Sequence, residues 1–135
     1  MYHVLLPVDS SEERASAQTA ATLALPEPAE FVKATVIHVF DNEDLAEKTT
    51  VQQTTAGKLM VEDLREAGVD VATESVHGEP AERIVTVADD ADVDMIVMGG
   101  RKRSPLGALV FGSVSQSVIL DSERPVAVTG AGRSA

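Results

Sequence analysis

Cysteine is absent from this chain of 135 residues, and so is tryptophan. Without thiols there can be no disulfide, no thiolate metal site and no cysteine nucleophile, so any chemistry falls to other groups. With one Tyr and three Phe, the core must be built almost wholly from aliphatic side chains. Positive charge is also scarce: 11 basic residues stand against 22 acidic ones, for a net charge of -11. A field of that sign opposes nonspecific attachment to nucleic acid or to anionic lipid, and argues against a DNA-binding role. The lysines are Lys33, Lys48, Lys58 and Lys102. An acidic, lysine-poor surface suits concentrated salt, which predicts a halophilic cytosol and a thermal midpoint that rises in molar KCl.

Long apolar runs are missing too. Stretches such as Val4 to Leu6 and Met95 to Met98 fall far short of the roughly 20 residues that span a bilayer, so no membrane segment is expected. Met1 leads directly into Tyr2-His3-Val4-Leu5-Leu6-Pro7, with no basic leader and no small-residue cleavage site, which predicts a cytoplasmic protein.

What is present is a regular alternation. Residues 2 to 8 form an apolar run that ends in Asp9-Ser10-Ser11, the pattern of a buried strand followed by a helix N-cap. An Ala-rich helix with Glu12 and Glu13 in its first turn follows, and Pro26 and Pro28 are expected to stop it. Phe31 to Phe40 is rich in β-branched residues and predicts a second strand. Residues 49 to 67 place Ala56, Met60, Leu64 and Ala67 on one helical face, with Gly68 as the terminating glycine. Val69 to Val76 reads as a third strand, and Pro80 opens a third helix with Ala81, Ile84, Val85 and Ala88 on its apolar face. Val93 to Met98 is a fourth strand, Gly99 to Pro105 a loop, and Val110, Val114 and Val118 mark a fourth helix. Pro125 to Val128 closes the pattern as a fifth strand, and residues 131–135 are expected to form a flexible tail.

Five strands alternating with four helices predict one α/β domain over residues 1–130. Its fold would be a doubly wound five-stranded parallel sheet, order 3-2-1-4-5, with helices on both faces. In such sheets a ligand binds beyond the carboxyl ends of the strands where the winding reverses, here between strands 1 and 4. The loops at Asp9 and Gly99 flank that crevice.

The same place carries the most distinctive chemistry. Met98-Gly99-Gly100-Arg101-Lys102-Arg103, followed at the next helix by Gly112-Ser113, sets backbone amides, hydroxyls and cations beside the crevice. Glycine lets a backbone approach a phosphate, and the amides of a helix N-terminus donate to its oxygens. Arg101, Lys102 and Arg103 concentrate positive charge in one loop of an acidic protein, which focuses a polyphosphate. A solvated loop with turn-forming glycines is the plainer alternative, and placement at the switch point weighs against it. Asp9 is open to two readings, a partner for a ribose hydroxyl or a magnesium ion and a cap on the first helix. His3, His38 and His77 lack metal-ligand spacing, and each is expected to fill or flank the core. No metal site is assigned, no general acid or base stands out, and no Walker loop, dinucleotide glycine fingerprint or nucleophile elbow is found.

Leu6-Pro7-Val8-Asp9-Ser10-Ser11, His38-Val39, Val93 to Gly99, Gly112-Ser113-Val114 and Arg124-Pro125-Val126 together resemble the universal stress protein family across nearly the whole chain. The resemblance implies the fold above, a homodimer formed through the last strand (Pro125–Thr129), and in one branch ATP held by a G-x2-G-x9-G-[ST] motif. It places Pro7, Val8 and Val39 at the adenine, Asp9 near the ribose or a metal, Gly99 by the ribose, and Gly112, Ser113 and Val114 by the phosphates. Lys102 stands where the motif has its second glycine. Its side chain either obstructs the backbone approach or substitutes a charge contact for an amide. The leading expectation is a dimeric, ATP-binding regulatory or stress-response protein, at most a slow hydrolase, with an unidentified regulatory protein as partner. A nucleotide-free interaction module of the same fold is the alternative that Lys102 favours. An ATP-pyrophosphatase-like ligase lacks its phosphate loop after strand 1.

Overall fold

The computed structural model describes residues 1–100 and 112–130. Its strands are β1 (Tyr2–Pro7), β2 (Val32–Phe40), β3 (Asp70–His77), β4 (Met95–Met98) and β5 (Val126–Val128). They form one sheet in the order β3-β2-β1-β4-β5, and every pairing is parallel. The expected architecture and strand order are therefore present.

Successive β1 side chains point to opposite faces and seed two cores. Val4 and Leu6 pack with Ala15 of α1 (Glu12–Leu23) and with Ala56, Met60, Val61 and Leu64 of α4 (Thr55–Glu66). Leu5 faces the other way, with Ala81, Ile84, Val87 and Ala88 of α5 (Pro80–Asp90) and Val118 of α6 (Ser113–Asp121). A sheet covered on both sides accounts for the continuous apolar strands that the sequence shows.

Several boundaries differ from expectation. Helix α1 ends at Leu23, ahead of both prolines, and Pro28 opens a short helix, α2 (Pro28–Phe31), that takes Phe31 from the second strand. The helix expected over 49–67 begins only at Thr55, because the Thr54 hydroxyl caps it by accepting the Gly57 amide at 3.1 Å. Ahead of it come α3 (Glu43–Lys48), capped by Asn42, and a 3₁₀ turn at Val51–Gln53. Ala67 is exposed and Val61 is buried in α4. The fourth strand starts at Met95 rather than Val93 and the fifth at Val126, while Val110 lies outside the described residues. No helix among the described residues is long and apolar enough to cross a membrane.

For function, the seam between β1 and β4 matters most. β1 pairs with β2 from Tyr2 to Pro7, whereas it pairs with β4 only at Val4 and Leu5. Beyond that point the two strands have no ladder between them, and a crevice opens at their carboxyl ends.

Candidate functional site

A cleft of about 230 Å³ occupies this crevice. One wall is the end of β1 and the turn after it (Pro7, Val8, Asp9), with His38 and Val39 of β2 beside them. Met98 and Gly99 form the β4 side, and Pro80 and Ile84 of α5 make an apolar wall. Gly112, Val114 and Ser115 bring in the first turn of α6, and Arg14 and Gln18 reach across from α1. Of the residues singled out in the sequence, Pro7, Val8, Asp9, Val39, Met98, Gly99, Gly112 and Val114 thus line one cleft.

The polar groups of the cleft have definite partners. Gln18 is buried, and its Nε2 donates to the carbonyls of Pro7 at 2.7 Å and Val97 at 2.9 Å. These carbonyls belong to the two diverging strands, so one side-chain amide substitutes for the missing ladder and props the seam open. His38 Nδ1 donates to the Val8 carbonyl at 2.7 Å, and its ring meets Phe40 edge-on at 4.5 Å. A carbonyl can only accept, so this contact places the proton of a neutral His38 on Nδ1. His38 is therefore a wall residue that fixes the β1 turn, beyond the core-filling role expected for it.

Asp9 does not cap α1; the Ser11 hydroxyl does, by accepting the Arg14 amide at 3.2 Å. The Asp9 carboxylate instead accepts the Ser11 amide on Oδ1 and Arg14 Nε on Oδ2, both at 2.9 Å. Glycine at position 99 has a steric cause in this same neighbourhood. A Cβ there would lie 2.8 Å from Cβ of Arg14 and 3.0 Å from its Cδ, so glycine admits the arginine stem.

At α6, Gly112 is the N-cap and provides no side-chain cap; the first intrahelical bond runs from the Gln116 amide to the Gly112 carbonyl. The amides of Ser113, Val114 and Ser115 precede that bond and are oriented to meet an acceptor. Ser113 is exposed, and Ser115, buried, is the serine on the cleft wall. Gly100 is buried behind the wall, with its amide directed at the Thr129 hydroxyl at 3.4 Å. Arg101, Lys102 and Arg103 lie outside the described residues.

Arg14, Gln18 and Ser115 were not singled out in the sequence, and His38, Pro80 and Ile84 were read there as structural residues and not as part of the site. The spacing of Arg14 and Gln18 was a usable signal, because residues four apart share a helix face.

A scan against protein-family models matches residues 1–130 to the universal stress protein family. The chain belongs to that family. A curated relative, universal stress protein MJ0577 of Methanocaldococcus jannaschii, is 35% identical over 92 residues, covering 68% of this chain and 56% of the relative. The alignment thus spans little more than half of that relative's length. The solved structure of MJ0577 superposes with a TM-score of 0.77 at 28% identity, covering 98% of each chain. A universal stress protein from Archaeoglobus fulgidus gives a TM-score of 0.74 at 27% identity, covering 96% of this chain and 98% of the other. Another A. fulgidus structure, described as a complex with dAMP, gives 0.67 at 24% identity over 96% and 98%, a likeness of fold alone.

Proposed function

We propose that the cleft binds an adenine nucleotide, with ATP as the physiological form, and that the protein acts through this binding as a cytoplasmic stress-response regulator. The observation that carries the reading is the pairing of an apolar slot with the first-turn amides of α6, which have no acceptor among the described residues. Val8, Val39, Ile84 and Met98 offer a flat purine a dry surface. The α6 N-terminus beside them offers donors to phosphate oxygens. The described walls enclose about 230 Å³, below the roughly 300–1,000 Å³ of drug-sized ligand sites. They suit the base and ribose, with the phosphates extending past Gly112 at the α6 N-terminus. That a protein of this fold has been solved with dAMP is a precedent in another chain.

Homodimerisation through Pro125–Thr129 belongs to the same proposal. β5 pairs with β4 on one side, its other edge has no partner among the described strands, and Leu120 of α6 is 82% exposed. A nucleotide-free interaction module is the second reading, favoured by Lys102 in place of the motif glycine. Mass spectrometry of natively purified protein separates the two: carried-over AMP or ATP is expected. Its absence, together with no calorimetric response to near-millimolar ATP, would select the interaction module.

A further inference from the structure

Both carboxylate oxygens of Asp9 already have donors, and one of these is a cation: Arg14 Nε on Oδ2 and the Ser11 amide on Oδ1. A magnesium ion at Asp9 would have to displace the guanidinium or share the carboxylate with it against like-charge repulsion. No other Asp or Glu among the described residues lines the cleft. No group of three or more His, Asp or Glu side chains converges on a metal position among the described residues either. The donor set does not fit a resident divalent cation.

The contacts that disqualify Asp9 as a metal ligand also hold Arg14 at the cleft. Its stem packs on Gly99, where no Cβ stands in the way, and its Nε is spent on Asp9. Neither terminal nitrogen has a protein acceptor among the described residues. A guanidinium so anchored presents the planar Nη1 and Nη2 edge, which matches a phosphate bidentately and has already given up much of its rotamer freedom. Arg14 is the one cationic residue on the described cleft wall, in a chain whose net charge of -11 otherwise repels phosphate.

We infer that Arg14 is the phosphate-reading residue of this cleft, held in position by Asp9 and Gly99, and that nucleotide binding needs no divalent cation. The inference rests on the nucleotide reading above and assigns to one side chain the charge that a metal would otherwise supply. Asp9 becomes a positioning residue rather than a ligand.

Calorimetric titration of the full chain with adenosine, AMP and ATP, in EDTA and in excess magnesium, tests it. Wild type is expected to bind AMP more tightly than adenosine, and to bind ATP with affinities that agree within about twofold with and without magnesium. Arg14→Met keeps the stem on Gly99 and should weaken AMP by about ten- to a hundredfold while leaving adenosine unchanged. Arg14→Lys should recover part of the loss, because it restores charge without the fork. Equal AMP affinity in Arg14→Met, parallel loss of adenosine and AMP, or ATP binding seen only with magnesium would each overturn the inference. A wild type that binds none of the three ligands would instead overturn the nucleotide reading, and the Arg14 assignment with it.

Discussion

At the amino end of the sheet β1, β4 and β5 are laced together by side chains, whereas at the carboxyl end β1 and β4 part around a cleft. Arg124 makes the largest stitch: Nε donates to the Val93 carbonyl at 2.7 Å, and the terminal nitrogens pair with Asp89 and Asp92. His3 adds one more, through its amide to the Asp94 carboxylate at 2.8 Å, and its Nε2 meets the Thr35 hydroxyl at 2.7 Å to tie β1 to β2. At the carboxyl end Gln18 alone, among the described residues, bridges the seam between β1 and β4. Cohesion and opening are thus assigned to opposite ends of the same strands, which lets the cleft open beside the α6 N-terminus without loosening the sheet. Substitutions at the two ends should consequently separate stability from ligand affinity.

The largest effect is expected at Gln18, the one residue that belongs to both functions. Gln18→Leu keeps the volume and strands the carbonyls of Pro7 and Val97, which should cost about 2–3 kcal/mol in chemical denaturation and weaken the nucleotide as well. An unchanged midpoint would show that the seam needs no bridge. Gly112→Val acts on the cleft alone. Gly112 has an extended backbone, φ -72 and ψ 162, so valine should fold normally while its branched side chain blocks the phosphates and lowers ATP affinity by about tenfold or more. Retained affinity in the folded variant would move the site elsewhere.

Arg124→Met acts on the closed end alone. Its acidic partners are 55% and 93% exposed, so the ion pairs add little, and the loss of the Val93 contact should dominate at about 1–2 kcal/mol. Nucleotide affinity should not change. His3 should give the smallest effect, visible only with pH. Burial, and then the charge of Lys33, lower its pKa from 6.5, against weaker opposing pulls from Asp94 and the Ala91 backbone. The fold therefore favours neutral imidazole, and this contribution is complete above about 6.5 and lost as pH falls through the lower folded value. His3→Gln should lack that component, so the stability gap between wild type and variant should narrow in acid. A gap that stays constant from pH 7 to pH 5 would contradict the assignment.

The strand order and both cores were legible because each long element announces itself by periodic burial. Val4 and Leu6 against Leu5, and Ala81, Ile84 and Ala88 along α5, are patterns that only packing explains. α3 was illegible for the complementary reason, since it buries none of its residues. α1 was legible as a helix but its buried face was not, because that face includes Gln18, Thr19 and Thr22. Both threonine hydroxyls bond back to carbonyls one turn earlier, and Gln18 is satisfied by strands far away in sequence. The site divided along the same line. Asp9, Gly99 and Gly112 mark element ends and can be placed by topology. The spacing of Arg14 and Gln18 sets them on one face of α1, but the path of that face across β1 and β4, with the Arg14 stem against Gly99, is tertiary and no local pattern encodes it.

A backbone amide NMR titration with ATP tests the division of the molecule most directly. Signals of Val8, Val39, Gly99, Val114 and Ser115 are expected to shift together and saturate, while those of His3, Asp94 and Arg124 stay in place. Shifts confined to the amino end, or none at the cleft at saturating ATP, would contradict the account.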